Sequence, residues 1–476
     1  MSFQLSSIVN ENKVFLVNLA DLEGRLDPFC YIPELVELDK KIKSKTEYRL
    51  KDFSIFRASG ATPSKSNDDY YSDRKNGIPF IRVQNLSVTG ELNLDDLVYI
   101  SKETHEGLLK RSQIKEHDLL IKITGVGRMA VASIAPDGFE GNINQHVVVV
   151  RTGSKKLSEN IAAFINLDSV ERIATKRATG GTRPALDYPA LFSIPIINNR
   201  EIYLKIKIAV QTKKQKEAEA QQLLGSIDDY LLAKLGIELP EKAENTVQSR
   251  IFTQQFKTIT GKRLDPIFYS SDLDKFNSGF YDSQSLRAVS LSFISGVGAG
   301  KQDQSSEDMR GIIQIRPTNM DRDGVLKYDK NIYLPIDFQG TKIKVDDVLF
   351  NNTNSQELVG KTTILKEEKE LFFSNHITKI AVNTNIIYPD YLAIILNAYQ
   401  RSKIFYSMCT NWNNQSGIGL DVLKQLAIPV PPLEKQTEIA NHITQIRNQA
   451  KQLQQQAKAE LEQAKKEVEA MILGEA

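Results

Sequence analysis

The chain has 476 residues, 41% hydrophobic and 25% charged, with a formal net charge of +2; that length and composition predict two to four ordinary globular domains. Its two cysteines, Cys30 and Cys409, exclude a disulfide framework and a cysteine-built zinc cluster. The N-terminal residues carry no secretory pattern and no apolar stretch nears membrane-spanning length, so a soluble, cytoplasmic protein is expected; the small net charge excludes nothing, because basic residues gathered on one face vanish in the sum.

Taken in order, alternating or apolar runs predict short strands over Pro79–Val83, Leu97–Ile100, Leu119–Ile123 and Val147–Arg151. They are bounded by turns at Asn76-Gly77, Thr89-Gly90, Gly125–Gly127 and Gly153. Helical spacing appears at Ser101–Lys110 and at Ser158–Arg177, the latter through Ile161, Phe164, Ile165 and Ile173. After Pro195, Arg200–Leu235 reads as one long charged helix with Ile202, Ile206, Ala209, Ala220, Leu223, Ile227 and Leu231. Gly236 and Pro240 end it, and a polar connector, 241–250, follows.

The pattern then returns. Arg25-Leu26-Asp27-Pro28 recurs as Arg263-Leu264-Asp265-Pro266, and Ile81–Asn85 as Ile315–Asn319. Ile114–Leu120 matches Ile343–Leu349, His146 matches His376, and Leu186-Asp187 matches Leu420-Asp421. The order is kept and the offset drifts only by loop-sized amounts, which predicts a two-copy duplication rather than a solenoid. Tyr391–Ser407 is the helix of the second copy that corresponds to Ser158–Arg177.

The last stretch, Thr437–Met471, carries a narrow seam: Ile439, Ile443, Ile446, Ala450, Leu453, Ala457, Leu461, Ala464, Val468 and Met471. Steps of three and four make heptads with a stutter between Ala457 and Leu461. So narrow a stripe predicts burial against one other helix, and Arg200–Leu235 is available. A seam of 33 residues is a rod of roughly 50 Å, the length of about 15 base pairs.

The runs Gly77–Leu86, Thr124–Arg128 and Leu191–Ile196, with the closing Ile428-Pro429-Val430-Pro431-Pro432-Leu433-Glu434-Lys435-Gln436, resemble the specificity subunits of type I restriction–modification systems. The resemblance covers the whole chain, although Arg316–Asn319 and Asn351–Asn354 depart from their counterparts. It implies an α+β chain of two duplicated mixed α/β target-recognition domains, each followed by a long α-helix, the helices pairing as an antiparallel coiled coil. The expected division is target-recognition domain 1 at 1–199, long helix 1 at 200–236, a connector and start of the second repeat at 237–262, target-recognition domain 2 at 263–432 and long helix 2 at 433–473.

The implied partners are double-stranded DNA with a bipartite site, two modification (methyltransferase) subunits and restriction or motor subunits. The chain would bind no cofactor itself; S-adenosylmethionine and ATP with Mg would serve the partner subunits. Two rival readings keep the layout: a specificity subunit for a fused enzyme that cuts beside its site, and a coiled-coil scaffold for protein partners.

Base edges are read by Arg, Lys, Asn and Gln, and phosphates accept from basic and hydroxyl side chains. Polar loops therefore supply the candidate contacts. Copy one offers Lys65, Asn67, Tyr70, Tyr71, Arg74 and Lys75, then Arg128, then Arg177 and Arg183. Copy two offers Lys301, Arg310, Asn351, Asn352, Asn354, Asn413, Asn414 and Gln415.

Catalysis finds no support. Gly296–Lys301 fails the P-loop pattern, because Ser295 and Gln302 stand at its required positions. The only Pro-Pro, Pro431-Pro432, precedes Leu433 rather than the aromatic residue of an amino-methyltransferase pocket. Pro389-Asp390 has no nuclease Glu/Asp-x-Lys after it. His146 and His376 lack a second ligand at metal spacing and read as structural. Cys30 and Cys409 read as buried small residues, and Trp412, the single tryptophan, stands in a polar loop where it could anchor a core or stack near DNA, the core being the expectation.

Overall fold

The computed structural model describes residues 10, 12–22, 25–239, 246–248, 251–259, 264–269, 276–305, 311–412 and 415–474. They form two compact units: residues 1–218 with 453–476, and residues 219–452. Both boundaries fall inside long helices, Arg200–Leu235 and Leu433–Leu473.

The reason is burial, half-helix by half-helix. In the first unit, Ile202, Ile206, Ala209 and Val210 share a core with Leu461, Val468 and Ile472. In the second, Ile227, Leu231 and Leu235 share one with Ile439, Ile443 and Ile446. Ion pairs flank each stripe: Lys216 Nζ lies 2.6 Å from Glu460 in the first unit, and Lys234 Nζ 3.2 Å from Glu438 in the second. The seam ends differently from its expected register, since Ile472 is buried and Met471 exposed. Gly236, at φ 67°, stops the first helix, and the Ile237 N–H reaches back to Leu232 O at 2.9 Å.

The first unit is built on a four-stranded antiparallel sheet in the order Phe56–Ser59, Val147–Arg151, Leu119–Lys122, Ala132–Ile134. Successive side chains leave opposite faces of a strand. Leu119, Ile121, Val148 and Val150 meet helices Lys155–Ile165 and Asp168–Arg177 through Ile161, Phe164 and Ile173. Leu120, Val147 and Val149 meet Ile81, Ile114 and Ile143 of a second, five-stranded sheet. Burial on both faces explains the unbroken Val147–Val150 run.

One helix was expected over Ser158–Arg177, and two are found. At the break, the Asn166 side chain accepts from Ala132 N at 3.0 Å and donates to Ala132 O at 2.7 Å. It completes the edge strand instead of continuing the helix.

In the second unit a four-stranded antiparallel sheet runs Ser290–Ser295, Ile377–Val382, Val348–Asn351, Thr362–Ile364. Phe350, Ile380 and Val382 pack on helix Pro389–Arg401 through Tyr391, Leu392, Ile395 and Tyr399. Leu349 and Ile377 pack on Ile315 and Phe373 of another sheet. Asn397 bonds both backbone groups of Thr362, as Asn166 does Ala132.

The repeated motifs have local tasks. Asn85 and Asn319, both buried, accept from the N–H of Arg82 and Arg316 at 2.9 Å. Their amides donate across the following turn to Asn93 O and Lys327 O. Ile194-Pro195-Ile196 pairs with the segment around Leu50, and Ala427–Pro429 with Ser283–Ser285. Both cysteines are buried, as expected.

Candidate nucleic-acid interface

Antiparallel pairing decides which loops meet. In the first unit, Phe56–Ser59 and Leu119–Lys122 finish at the same sheet end where Val147–Arg151 and Ala132–Ile134 start. The segments 60–77, 123–131 and 144–146 therefore emerge together. Gly60 stands where a Cβ would collide with the carbonyls of Ile143 and Asn144, so the chain passes against that turn. Ile123 N donates to His146 O at 2.9 Å. Thr124 bridges to Ala185, and Gly125 N donates to Pro184 O, which adds the loop Thr179–Ala185.

Within that cluster the candidates divide. Lys65, Arg74, Lys75 and Arg183 are exposed. Asn67 caps a short turn by accepting from Asp69 N, and Tyr71 donates its hydroxyl to Pro63 O at 2.7 Å. Tyr70 is half-buried. Asp68, Asp69 and Asp73 balance the three cations of segment 62–77, so that loop is not a basic patch.

Arg128 and Arg177 work inside the unit. Arg128 pairs with Asp168 and donates to Asn166 O at 2.6 Å. Arg177 grips Asp39 at 2.9 and 3.1 Å. Burial alone would raise the Asp39 carboxyl; Arg177, with Lys43, holds it below its ordinary value instead. Lys122 is buried, which depresses its pKa, and it donates to Val126 O at 2.9 Å.

The second unit brings the corresponding segments 296–305, 352–361 and 374–376 to one end of its sheet. A small three-stranded sheet joins two candidate loops, with Thr353–Asn354 pairing to Gln415–Gly417 and the latter to Thr410–Trp412. Lys301 and Gln415 are exposed, while Asn352 and Asn354 are half-buried. Asn352 accepts from Thr378 Oγ1 at 3.2 Å, and Asn354 accepts from Ser355 N at 2.8 Å.

Asn351 is fully buried and donates to Leu358 O at 2.9 Å, so it shapes the turn and has no surface for a base. Arg310, Asn413 and Asn414 lie outside the described residues. Trp412 corrects the expectation of a core residue: it is 49% exposed.

Sequence reasoning passed over Gln145 and Asn375, both exposed at these loop ends. The signal was present, since each precedes one of the matching histidines. It also passed over Gln356, whose side-chain oxygen accepts from the Asn411 amide at 3.3 Å. Among the described residues no His/Cys/Asp/Glu group could hold a metal ion, and no helix is long and apolar enough to cross a membrane.

Residues 305–463, which include the loop segments 352–361 and 374–376 of the second unit, match the family model of the type I restriction modification DNA specificity domain. Over those residues the chain is similar to a type I specificity domain. This is the family that the sequence motifs resembled. A putative type I restriction enzyme MjaX specificity subunit from Methanocaldococcus jannaschii is 36% identical over 100 residues, 21% of this chain and 24% of that protein. The match to this specificity subunit thus spans about a quarter of the curated relative's length.

Two solved structures are similar to this chain. One comes from work on complex assembly and conformational transition of the type I R-M system, with 15% identity, a TM-score of 0.49, and 90% of this chain and 95% of that chain covered. The other is the S subunit of a type I restriction–modification system from M. genitalium, with 10% identity, a TM-score of 0.39, and coverage of 88% and 94%.

Proposed function

We propose that this chain is the non-catalytic sequence-specificity subunit of a type I restriction–modification complex. Each unit holds one target-recognition domain, a duplicate of the other, and each reads one half of a bipartite duplex target through the loop end of its four-stranded sheet. The two long helices pair as an antiparallel coiled coil and dock methyltransferase subunits, with restriction or motor subunits joining for cleavage. S-adenosylmethionine and ATP with Mg belong to those partners.

The match of residues 305–463 to the specificity domain carries the reading. The loop ends support it: exposed Lys65, Lys75 and Arg183 suit phosphates, and Asn375 and Gln415 suit base edges. The test is duplex binding by the chain with the modification subunit encoded beside its gene, followed against salt. Affinity falling steeply with salt is expected. Salt-independent association, or none, would move a protein-interaction scaffold to the front.

A further inference from the structure

We infer that Trp412 is a base-contacting side chain of the second unit, packing its ring into a groove of one half-site while Gln415, its cross-strand partner on the same face, meets the base edges beside it. This rests on the proposed DNA-reading role and adds to it a named contact with its own chemistry.

Four observations carry it. Trp412 is 49% exposed, and so large an apolar ring left in water gains when a partner covers it. It is held in place, because a Cβ on Gly417 would stand 2.8 Å from Trp412 Cη2; only glycine leaves room for the ring to lie there. Its strand is tied by pairing to the loop cluster, through Trp412↔Gln415, Asn411↔Ser416 and Thr353↔Gly417. Finally, residues 410–417 carry no charged side chain. An uncharged amide and aromatic surface suits base edges and the thymine methyl, whereas phosphates call for cations.

The first unit differs at the corresponding place. There the loop Thr179–Ala185, tied by Thr124↔Ala185, offers the exposed Arg183 and no aromatic residue. The two units thus meet their half-sites with different chemistry, one cationic and one aromatic with amides.

The experiment uses the full chain with its modification subunit and a labelled duplex bearing the motif methylated in the host. Trp412→Ala is expected to weaken binding by about tenfold or more, and Trp412→Phe by less, because a smaller ring still fills part of the contact. Subtracting the emission of the Trp412→Phe complex from that of the parent isolates Trp412, and this difference should fall when the motif duplex is added. Methylation mapping of the Trp412→Ala strain should relax one half of the motif only.

Unchanged affinity with unchanged Trp412 emission overturns the inference while leaving the specificity role intact. Unchanged duplex affinity with loss of the modification subunit also overturns it, placing Trp412 in a protein interface. Absence of motif-dependent binding by the parent complex overturns both.

Discussion

Asn397→Ala is a substitution whose cost can be worked from the geometry. Asn397 is 2% exposed and Thr362 is fully buried. The amide accepts from Thr362 N at 3.0 Å and donates to Thr362 O at 2.7 Å. Alanine strips both partners from a closed site, and one buried group left unsatisfied costs about 1–3 kcal/mol. The small void adds about 1 kcal/mol. Helix propensity acts the other way, since Asn397 sits in helix Pro389–Arg401, but it returns only about 0.6 kcal/mol.

The net loss is about 3 kcal/mol, and with a urea slope of about 2–3 kcal/mol per molar the unfolding midpoint falls by about 1 M. Urea titration followed by circular dichroism and by Trp412 emission measures it, the single tryptophan lying in the second unit. A midpoint within about 0.2 M of the parent would refute the claim that this amide holds the edge strand.

Three further outcomes are expected. Asp39, held below its ordinary pKa against burial by Arg177 and Lys43, contributes stability that is present above its unfolded value near 3.8 and is lost as pH falls through its folded value; Asp39→Asn should therefore destabilise at pH 7 by about 3 kcal/mol, with the difference from the parent narrowing below about pH 4 in acid titration. Gly296→Ala drives a Cβ into the carbonyls of Phe373 and Ser374 and should cost about 2 kcal/mol or more in thermal unfolding, with duplex binding reduced. Seven residues inserted into each long helix add about 10 Å, the rise of about three base pairs, and should lengthen the motif's spacer by about three, as methylation mapping would read.

Much of the fold was legible because periodicity is a local property. The Val147–Arg151 strand and the Arg200–Leu235 helix lie where their patterns place them. The matching Asn85 and Asn319 stood out in the sequence, and each closes a turn by accepting from the N–H three residues before it. What stayed hidden depends on partners distant in sequence. The break at Asn166 needs Ala132, and Arg177 looks like a loop cation until Asp39 is placed beside it. Asn351 reads as a polar loop residue because the turn that buries it closes only through Leu358. Trp412 reads as core because tryptophan usually is, and its exposure follows from a strand pairing that spacing does not announce.

The most direct measurement is an adenine-methylation map of the host genome with and without this gene, the modification subunit being expressed in both strains. The proposed role predicts one bipartite motif whose methylation disappears on deletion and returns on complementation. A map that does not change, with the modification subunit active, would contradict it.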